Sequence, residues 1–293
     1  MSSPPRVRTA PPQSVTGAAG WMLGAVAALT AMAIAGRELA SELSTFQILF
    51  FRSLIGLGVI CVLVQRAGWV SVKTHRLGAH AARNAAHFAG QFGWFFGIAL
   101  IPLTEVFAIE FTTPLWTALF AVLLLRERLT WLRVAGILFG FVGTLVILRP
   151  GMDAVSPGAL AVLGAAFAYA FAHTMTKRLS STESPLSILF YMSALQLPLG
   201  LLPALAKGWV WPSVQAWPWV LVVSLCGLAG HYCLARAFRL ADASVVVPID
   251  FVRLPLIAVI GYLLYREPLD PYVMLGAAVV VAGTWLTLRS ARI

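Results

Sequence analysis

Charged residues are scarce in this sequence, and so is cysteine. Only 11% of the 293 residues are Asp, Glu, Lys or Arg, while 60% are hydrophobic; in soluble domains roughly a quarter of the residues are charged. A globular fold of this length cannot bury so much apolar surface. The cysteines, Cys61, Cys226 and Cys233, are too scattered for a metal motif and suit small buried positions. The composition therefore excludes an ordinary soluble domain and predicts a membrane protein.

Motifs for catalysis and for ATP hydrolysis are also missing. The chain has no Walker loop, no H-E-x-x-H, no G-x-S-x-G and no paired cysteines. We therefore predict no catalytic residue, no cofactor, no metal site and no need of an ATPase partner. The net charge of +10 does not indicate binding of nucleic acid, because the basic residues fall at the ends of apolar segments rather than in one patch.

Long apolar runs are what the sequence has in abundance. A helix needs about 20 apolar residues to cross the bilayer core. Ten runs meet this need: 17–36, 45–65, 80–101, 104–125, 130–148, 157–177, 185–205, 216–238, 243–265 and 271–288. The proline-rich, polar residues 1–16 resemble a disordered tail, and no cleavable signal peptide is expected. The pattern predicts an all-α membrane protein with ten transmembrane helices.

Lysine and arginine are distributed unequally between the two sides of the predicted spans. With the N-terminus placed inside, 15 of the 21 lie in cytoplasmic segments, Arg52 and Arg253 lie within spans, and four lie outside: Arg37, Arg149, Lys207 and Arg266. Cytoplasmic loops hold the excess of positive charge. Both termini are therefore predicted to be cytoplasmic, in a multi-pass protein of the cytoplasmic (inner) membrane.

The two halves of the chain are related by a constant shift of 140 in residue number, which we call the repeat offset. LLLRERL (123–129) matches LLYREPL (263–269), ILFF (48–51) matches ILFY (188–191), and the Gly-Thr pair at 143–144 recurs at 283–284. One match could arise by chance in apolar sequence, but the same offset throughout indicates duplication. Because each copy, 17–150 and 151–293, holds five spans, the second enters the membrane from the opposite side. Inverted repeats of this kind are typical of secondary transporters.

The R-E-x-L turn after spans four and nine, followed by a span ending in Gly-Thr, resembles the drug/metabolite transporter superfamily in its ten-span EamA branch. The resemblance covers roughly residues 17–290 and is strongest to YddG-type exporters of amino acids and metabolites. It implies a secondary transporter that works by alternating access and exports small metabolites, including aromatic amino acids and amphiphilic organic compounds. It also implies a cavity lined mainly by spans one, three, four, six, eight and nine.

Each repeat carries an acidic residue followed by a proline within one apolar span. At the repeat offset, Glu110 corresponds to Asp250, and Pro114 corresponds to Pro255 with a slip of one position. Because proline leaves a backbone carbonyl unbonded, we expect both helices to bend at a moving, partly wet interface. Inversion would put the two acids on opposite sides of the midplane, each ~10 Å inside its own boundary.

Two ion pairs are expected near these bends. Asp250 and Arg253 are three residues apart and can pair along one helix face; the pair is either a stabilising salt bridge or a gating or substrate-contact element. Arg52 lies at a depth similar to that of Glu110. It either pairs with that acid or extends towards the outer interface.

Polar and aromatic side chains at helical spacing mark the walls of the predicted cavity. Span three carries Asn84, His87, Gln91 and Phe95 on one face. The substrate-contact candidates are His87, Gln91, Phe95, Trp116, Tyr169, His173 and His231. Such walls suit aromatic or amphiphilic solutes, through stacking and cation–π contact. The other interpretation of each histidine is ordinary core packing.

Several alternatives stay open. A membrane-embedded enzyme would use the buried acids and histidines, a channel would conduct without saturating, and a nucleotide-sugar or lipid-linked carrier of the same fold would require cationic phosphate contacts. Gly136 and Gly140 form a GxxxG stripe, which favours close helix packing inside a monomer or between the copies of a dimer. The expected partners are a small-molecule substrate and the lipid bilayer.

Overall fold

The computed structural model describes residues 14–126, 130–148, 156–266 and 271–290, and every regular element in them is helical. The α-helices are α1 (Val15–Leu39), α2 (Thr45–Ala67), α3 (Leu77–Leu100), α4 (Leu103–Glu110), α5 (Thr113–Phe120), α6 (Trp131–Leu148), α7 (Pro157–Ser180), α8 (Pro185–Ala206), α9 (Trp217–Leu240), α10 (Ala243–Val246), α11 (Arg253–Tyr265) and α12 (Pro271–Ser290). Short 3₁₀ segments at Trp69–Val72 and Val247–Val252 and a π-helical turn at Ala121–Leu125 complete the described elements.

The prediction of an all-α membrane fold is confirmed. Five helices, α1, α2, α7, α8 and α9, are long and apolar enough to cross a membrane. The count of ten spans stays a prediction. Residues 1–13, 127–129, 149–155, 267–270 and 291–293 lie outside the described part of the chain, and with them most of the predicted N-terminal tail and of the predicted R-E-x-L turns.

Serine caps fix the starts of four long helices. Ser14, Ser44, Ser156 and Ser184 each accept a hydrogen bond from the backbone N–H three residues further on. These bonds satisfy N–H groups that the first turn of a helix leaves without a partner. Ser44 and Ser184 are equivalent at the repeat offset, so the duplication extends to the local signals that begin α2 and α8.

Helices of the two repeats pack against each other in equivalent pairs. α1 lies along α9 and α3 along α7, and the repeat offset exchanges these two contacts. Both depend on a glycine at the crossing: a Cβ on Gly90 would lie 2.9 Å from the Tyr169 ring, and a Cβ on Gly230 would lie 2.7 Å from Leu29. α2 also lies along α8, and α6 along α12.

The GxxxG stripe of α6 is covered by α12 within the same chain. A Cβ on Gly283 would lie 2.6 Å from the carbonyl oxygen of Gly136 and 2.8 Å from the nitrogen of Gly140. Backbone-to-backbone approach this close is possible only between residues without side chains. The interpretation of the stripe as internal helix packing is confirmed.

The acid–proline segments break their helices, as expected, but more completely than a bend. In the first repeat α4 ends at Glu110 and α5 begins at Thr113; in the second, a 3₁₀ segment separates α10 from α11. Pro114 and Pro255 therefore occupy the first turns of new helices, where a missing N–H costs little. Pro114 cannot donate to the carbonyl of Glu110, four residues earlier, and this carbonyl accepts a hydrogen bond from the Thr113 hydroxyl at 2.5 Å instead.

Candidate functional site

A central cavity lies where the two broken segments meet. It contains about 500 Å³ of space not filled by atoms, open solvent included. The predicted spans one, three, four, six, eight and nine all contribute to its wall, as the family resemblance implies. The lining residues are Met22, Leu29, Met32, Trp94, Glu110, Tyr169, His173, His231, Leu234, Val247, Asp250 and Arg253.

Three charged side chains form the polar centre of this wall, and we call them the central triad: Glu110, Asp250 and Arg253. Nη2 of Arg253 lies 2.8 Å from Oε1 of Glu110 and 2.5 Å from Oδ2 of Asp250. The Trp94 indole N–H donates to the second Glu110 oxygen at 2.7 Å, and the guanidinium lies 4.8 Å from the centre of the Phe107 ring. Arg253 is 2% exposed, so this pairing occurs away from bulk water, where charges interact strongly.

The expected pair of Asp250 and Arg253 is confirmed, but the expected pair of Arg52 and Glu110 is wrong. Glu110 binds Arg253 instead. Arg52 is 4% exposed, so it does not extend to the interface either. Both acids reach the same guanidinium nitrogen, so their carboxylates lie close together, and their placement on opposite sides of the midplane stays a prediction.

An aromatic wall faces the triad. Tyr169 and His173 are one turn apart on α7 with nearly parallel rings, 6.1 Å between centroids, and His231 of α9 also lines the cavity. His87 lies behind this wall. Its ring centroid is 4.6 Å from that of His231, and its Nδ1 is 2.9 Å from the amide nitrogen of Gln196. Three of the seven predicted contact residues therefore line the cavity, and His87 supports them from the second layer.

The other three predicted contact residues lie elsewhere. Gln91 is 1% exposed, and its amide makes no hydrogen bond within the described residues. The Phe95 ring packs against the Trp94 ring and over Gly36 of α1. The Trp116 ring packs against the Phe167 ring of α7, with 5.4 Å between the ring centroids. Part of the polar stripe of α3 faces α8, where Gln196 contacts Asn84 and His87. The α3 residue that lines the cavity is Trp94.

Sequence reasoning missed the apolar part of the wall. Met22, Leu29, Met32 and Leu234 carry no polar signal in an apolar sequence. The repeat offset provided one clue, because it relates Leu29 to Tyr169. Both of these residues line the cavity.

At one end of the bundle, α1 and α3 are joined by a contact that we call the α3 latch. Nη1 of Arg37, near the end of α1, donates to the carbonyl oxygens of Ile98 and Ile101, both at 2.8 Å. Beside it, the hydroxyl of Tyr265 donates to Glu38 at 2.9 Å. A cation that caps the last carbonyls of a helix also interacts favourably with the helix dipole.

At the opposite end, α7 and α9 are joined by the equivalent contact, the α9 latch. Nζ of Lys177 donates to the carbonyl oxygens of Phe238 at 2.9 Å and Ala241 at 2.6 Å. Lys177, Phe238 and Ala241 each correspond to their counterparts in the α3 latch at the repeat offset. The backbone N–H of Ser14 bonds to Leu240 at this end, so the length of α1 separates the latches. In this structure both are formed.

The chain also matches known proteins along most of its length. A model of the EamA-like transporter family matches it twice, over residues 16–149 and 156–289. The S-adenosylmethionine uptake transporter of Rickettsia bellii (strain RML369-C) is 28% identical over 271 residues, which are 92% of this chain and 93% of that protein. The riboflavin transporter of Vibrio cholerae serotype O1 is 33% identical over 231 residues, 76% of each chain.

A solved crystal structure with 19% sequence identity has a TM-score of 0.79 and covers 95% of this chain and 99% of its own. That likeness extends to the whole arrangement of helices. The relatives above are named as transporters, in agreement with the lack of catalytic motifs. The two matches to the family model span both repeats, and the chain belongs to the EamA-like transporter family.

Proposed function

We propose that the protein is a secondary carrier for a small metabolite that has a positively charged group and an aromatic ring. It would work by alternating access, with ten transmembrane spans and both termini in the cytoplasm. The observation that carries the proposal is the composition of the cavity wall, in which two carboxylates share one guanidinium beside Trp94, Tyr169 and His173.

The charge of the central triad favours a cation. With all three groups ionised, the triad has a net charge of −1, because two carboxylates share one guanidinium. Uncompensated charge within a membrane is costly. Oδ1 of Asp250 has no hydrogen-bond partner within the described residues. A substrate ammonium or sulfonium group at this oxygen would supply the missing charge, and the aromatic wall would hold a ring by stacking and cation–π contact.

S-adenosylmethionine, the substrate named for the Rickettsia relative, has these features: a sulfonium, an ammonium and an adenine ring. We therefore propose it, or an amino-acid derivative of the same charge and size, as the substrate. Riboflavin has the ring but no positive charge, and we expect it to bind more weakly.

The two latches control which end of the cavity opens. A carrier whose halves exchange shapes opens one end while the other stays closed. Breaking the α3 latch would separate α1 from α3 at one end, and breaking the α9 latch would separate α7 from α9 at the other. Because equivalent residues form both, the two open forms are related by the internal symmetry, and the structure with both latches formed corresponds to an occluded state.

The side assignment follows the distribution of lysine and arginine, which puts the α9 latch at the cytoplasmic face of the inner membrane. The sequence led us to expect export. In a carrier without an ATPase the direction of net flux follows the gradients of substrate and of any coupled ion, so export requires an outward gradient, whereas the Rickettsia relative is named for uptake.

Transport by the purified protein in liposomes tests the proposal. We expect saturable uptake of labelled S-adenosylmethionine, inhibited by organic cations and aromatic amino acids, and measured with and without a pH gradient. Asp250→Asn should reduce kcat/KM at least ~10-fold, the factor of a lost charge-assisted contact. Glu105→Gln, on α4 outside the cavity wall, is the matched control. Failure of every cationic aromatic compound to saturate transport, or normal transport by Asp250→Asn, would rule the proposal out.

A further inference from the structure

A second, smaller polar cavity lies between α2, α8 and α9. It contains about 210 Å³ of unfilled space, open solvent included. Its wall is formed by Arg52, Ser53, Gly56, Met192, Ser193, Gln196, Ser224 and Leu228. Hydrogen-bond donors are concentrated here, and carboxylates are not among the lining residues.

Arg52 is a buried cation that has no anionic partner among the residues that the structure describes. It is 4% exposed, and within the described residues its guanidinium forms no ion pair with a carboxylate and no hydrogen bond. Its situation differs from that of Arg253, which binds two acids, and from that of Arg83, which donates to Thr176 at 3.1 Å and to Asn84 at 2.7 Å. Burying a charge without a partner is strongly unfavourable.

Two hydroxyl groups next to Arg52 are also available. Ser53 and Ser193 are 4% and 3% exposed. Neither hydroxyl makes a hydrogen bond within the part of the chain that the structure describes, whereas the Ser224 hydroxyl donates to the Val220 carbonyl at 2.6 Å. One guanidinium and two hydroxyls without acceptors, facing the same small cavity, form a donor set that suits an anion.

The second cavity adjoins the central one at Gly227. Nε of Arg52 lies 2.5 Å from the position that a Cβ would take on Gly227, and Sδ of Met32 lies 3.1 Å from the same point. Met32 lines the central cavity. A side chain at position 227 would clash with Arg52, so glycine there lets the Arg52 guanidinium lie next to the Met32 thioether, whose residue also lines the central cavity.

We propose that Arg52, Ser53 and Ser193 form a site for a small monovalent anion. The anion is either the carboxylate of a substrate held in the central cavity or a free halide ion. The first source rests on the proposed function, because the triad would bind the cationic end of a zwitterion whose carboxylate extends past Met32 to Arg52. The second source is independent of the substrate.

The halide source is tested on the purified protein without substrate. We expect the unfolding temperature to rise by roughly 2–4 °C in sodium bromide relative to sodium gluconate at equal ionic strength. The rise should disappear in Arg52→Gln and persist in Arg83→Gln, which removes a buried arginine whose Nε and Nη1 already donate to Thr176 and Asn84.

The carboxylate source is tested by competition. S-adenosylmethionine and its decarboxylated form differ only in the carboxylate, and we expect the former to bind at least ~10-fold more tightly, a difference of ~1.4 kcal/mol. Arg52→Gln should bring the two affinities to within about twofold, while Arg83→Gln keeps the ratio. If Arg52→Gln does not fold, Ser193→Ala is the second variant, and it should reduce the halide effect or the ratio without abolishing it.

The outcomes separate the two proposals. The anion site is supported if either effect is present in the wild-type protein and lost in Arg52→Gln. It is overturned if the wild type shows neither effect, or if Arg52→Gln retains what the wild type shows. Binding of both forms of the ligand with equal affinity and no halide effect refutes the anion site and leaves the carrier proposal intact. Binding of neither form refutes the proposed substrate, and the halide measurement then decides on the anion site alone.

Discussion

Removing one latch should bias the carrier towards the conformation that is open at that end. The α3 latch consists of two hydrogen bonds from the Arg37 guanidinium to backbone carbonyls. Arg37→Gln deletes the charge and the paired geometry. The α9 latch has the equivalent two hydrogen bonds, with Lys177 as the donor, and Nζ of Lys177 also lies 3.9 Å from Oδ1 of Asp242, so Lys177→Gln should have the opposite effect.

The size of the expected population shift follows from the free energy of the hydrogen bonds in each latch. Hydrogen bonds with a charged partner contribute about 1.5–3 kcal/mol. Arg37 and Lys177 are half-buried, and the Lys177 side chain is 23% exposed, so solvent screening reduces this to roughly 1–2 kcal/mol per latch. That change shifts a two-state population by about 5- to 30-fold.

Accessibility of the cavity reports this shift. Leu29 lines the cavity and can be replaced by cysteine after the three native cysteines are removed. With an impermeant thiol reagent applied on the extracellular side of cells, Arg37→Gln should increase the labelling rate by about 5- to 30-fold, and Lys177→Gln should lower it. Lys207→Gln and Arg178→Gln, both at exposed lysine or arginine residues, are the controls. If Arg37→Gln and Lys177→Gln change the labelling rate equally and in the same direction, or leave it unchanged, the assignment of the latches is refuted.

Three further predictions concern the triad, the packing and the topology. Arg253→Leu should reduce folded yield and transport severely, since an unpaired buried charge costs several kcal/mol, and adding Asp250→Asn should restore part of the yield; equal yields of the single and double variants would contradict the pairing. Gly283→Leu should lower the unfolding temperature by several degrees, since overpacking costs roughly 1–3 kcal/mol, whereas Gly164→Ala, with open space around it, should not. Single cysteines placed in the 149–156 loop should react with an impermeant reagent outside the cell, and labelling only from inside would contradict the proposed orientation.

The broken helices were the most predictable part of this site. An acid and a proline that recur in two apolar spans carry a strong signal, because each is costly in a membrane unless the fold uses it. The same signal located the pair of Asp250 and Arg253. It failed for Arg52, since depth along a helix can be estimated from sequence but rotation about its axis cannot.

Rotation also explains the errors on α3. The stripe of Asn84, His87, Gln91 and Phe95 follows one face of the helix, and periodicity alone does not say which neighbour that face meets. The structure turns part of it towards Gln196 of α8 and presents Trp94 to the cavity. In a soluble protein the water-facing side would fix the rotation, but in a membrane bundle both lipid and core are apolar.

The latches were not predicted, although the sequence carries one sign of them. Arg37 and Lys177 are equivalent at the repeat offset and lie at helix ends, but a charge there is ordinary in a membrane protein. Only the packing of α1 against α3 and of α7 against α9 brings each cation to the end of its partner helix. Tertiary contact therefore supplies the part of the mechanism that local sequence does not contain.

Counterflow in liposomes tests the central claim most directly. Vesicles that contain the protein are loaded with unlabelled S-adenosylmethionine and diluted into a trace of the labelled compound. A carrier with one cavity that opens to each side in turn predicts a transient accumulation of label above its equilibrium level, absent in protein-free vesicles and reduced at least ~10-fold in Asp250→Asn. Label that only approaches equilibrium, at a rate proportional to concentration and unaffected by the internal load, would indicate a channel and contradict the account.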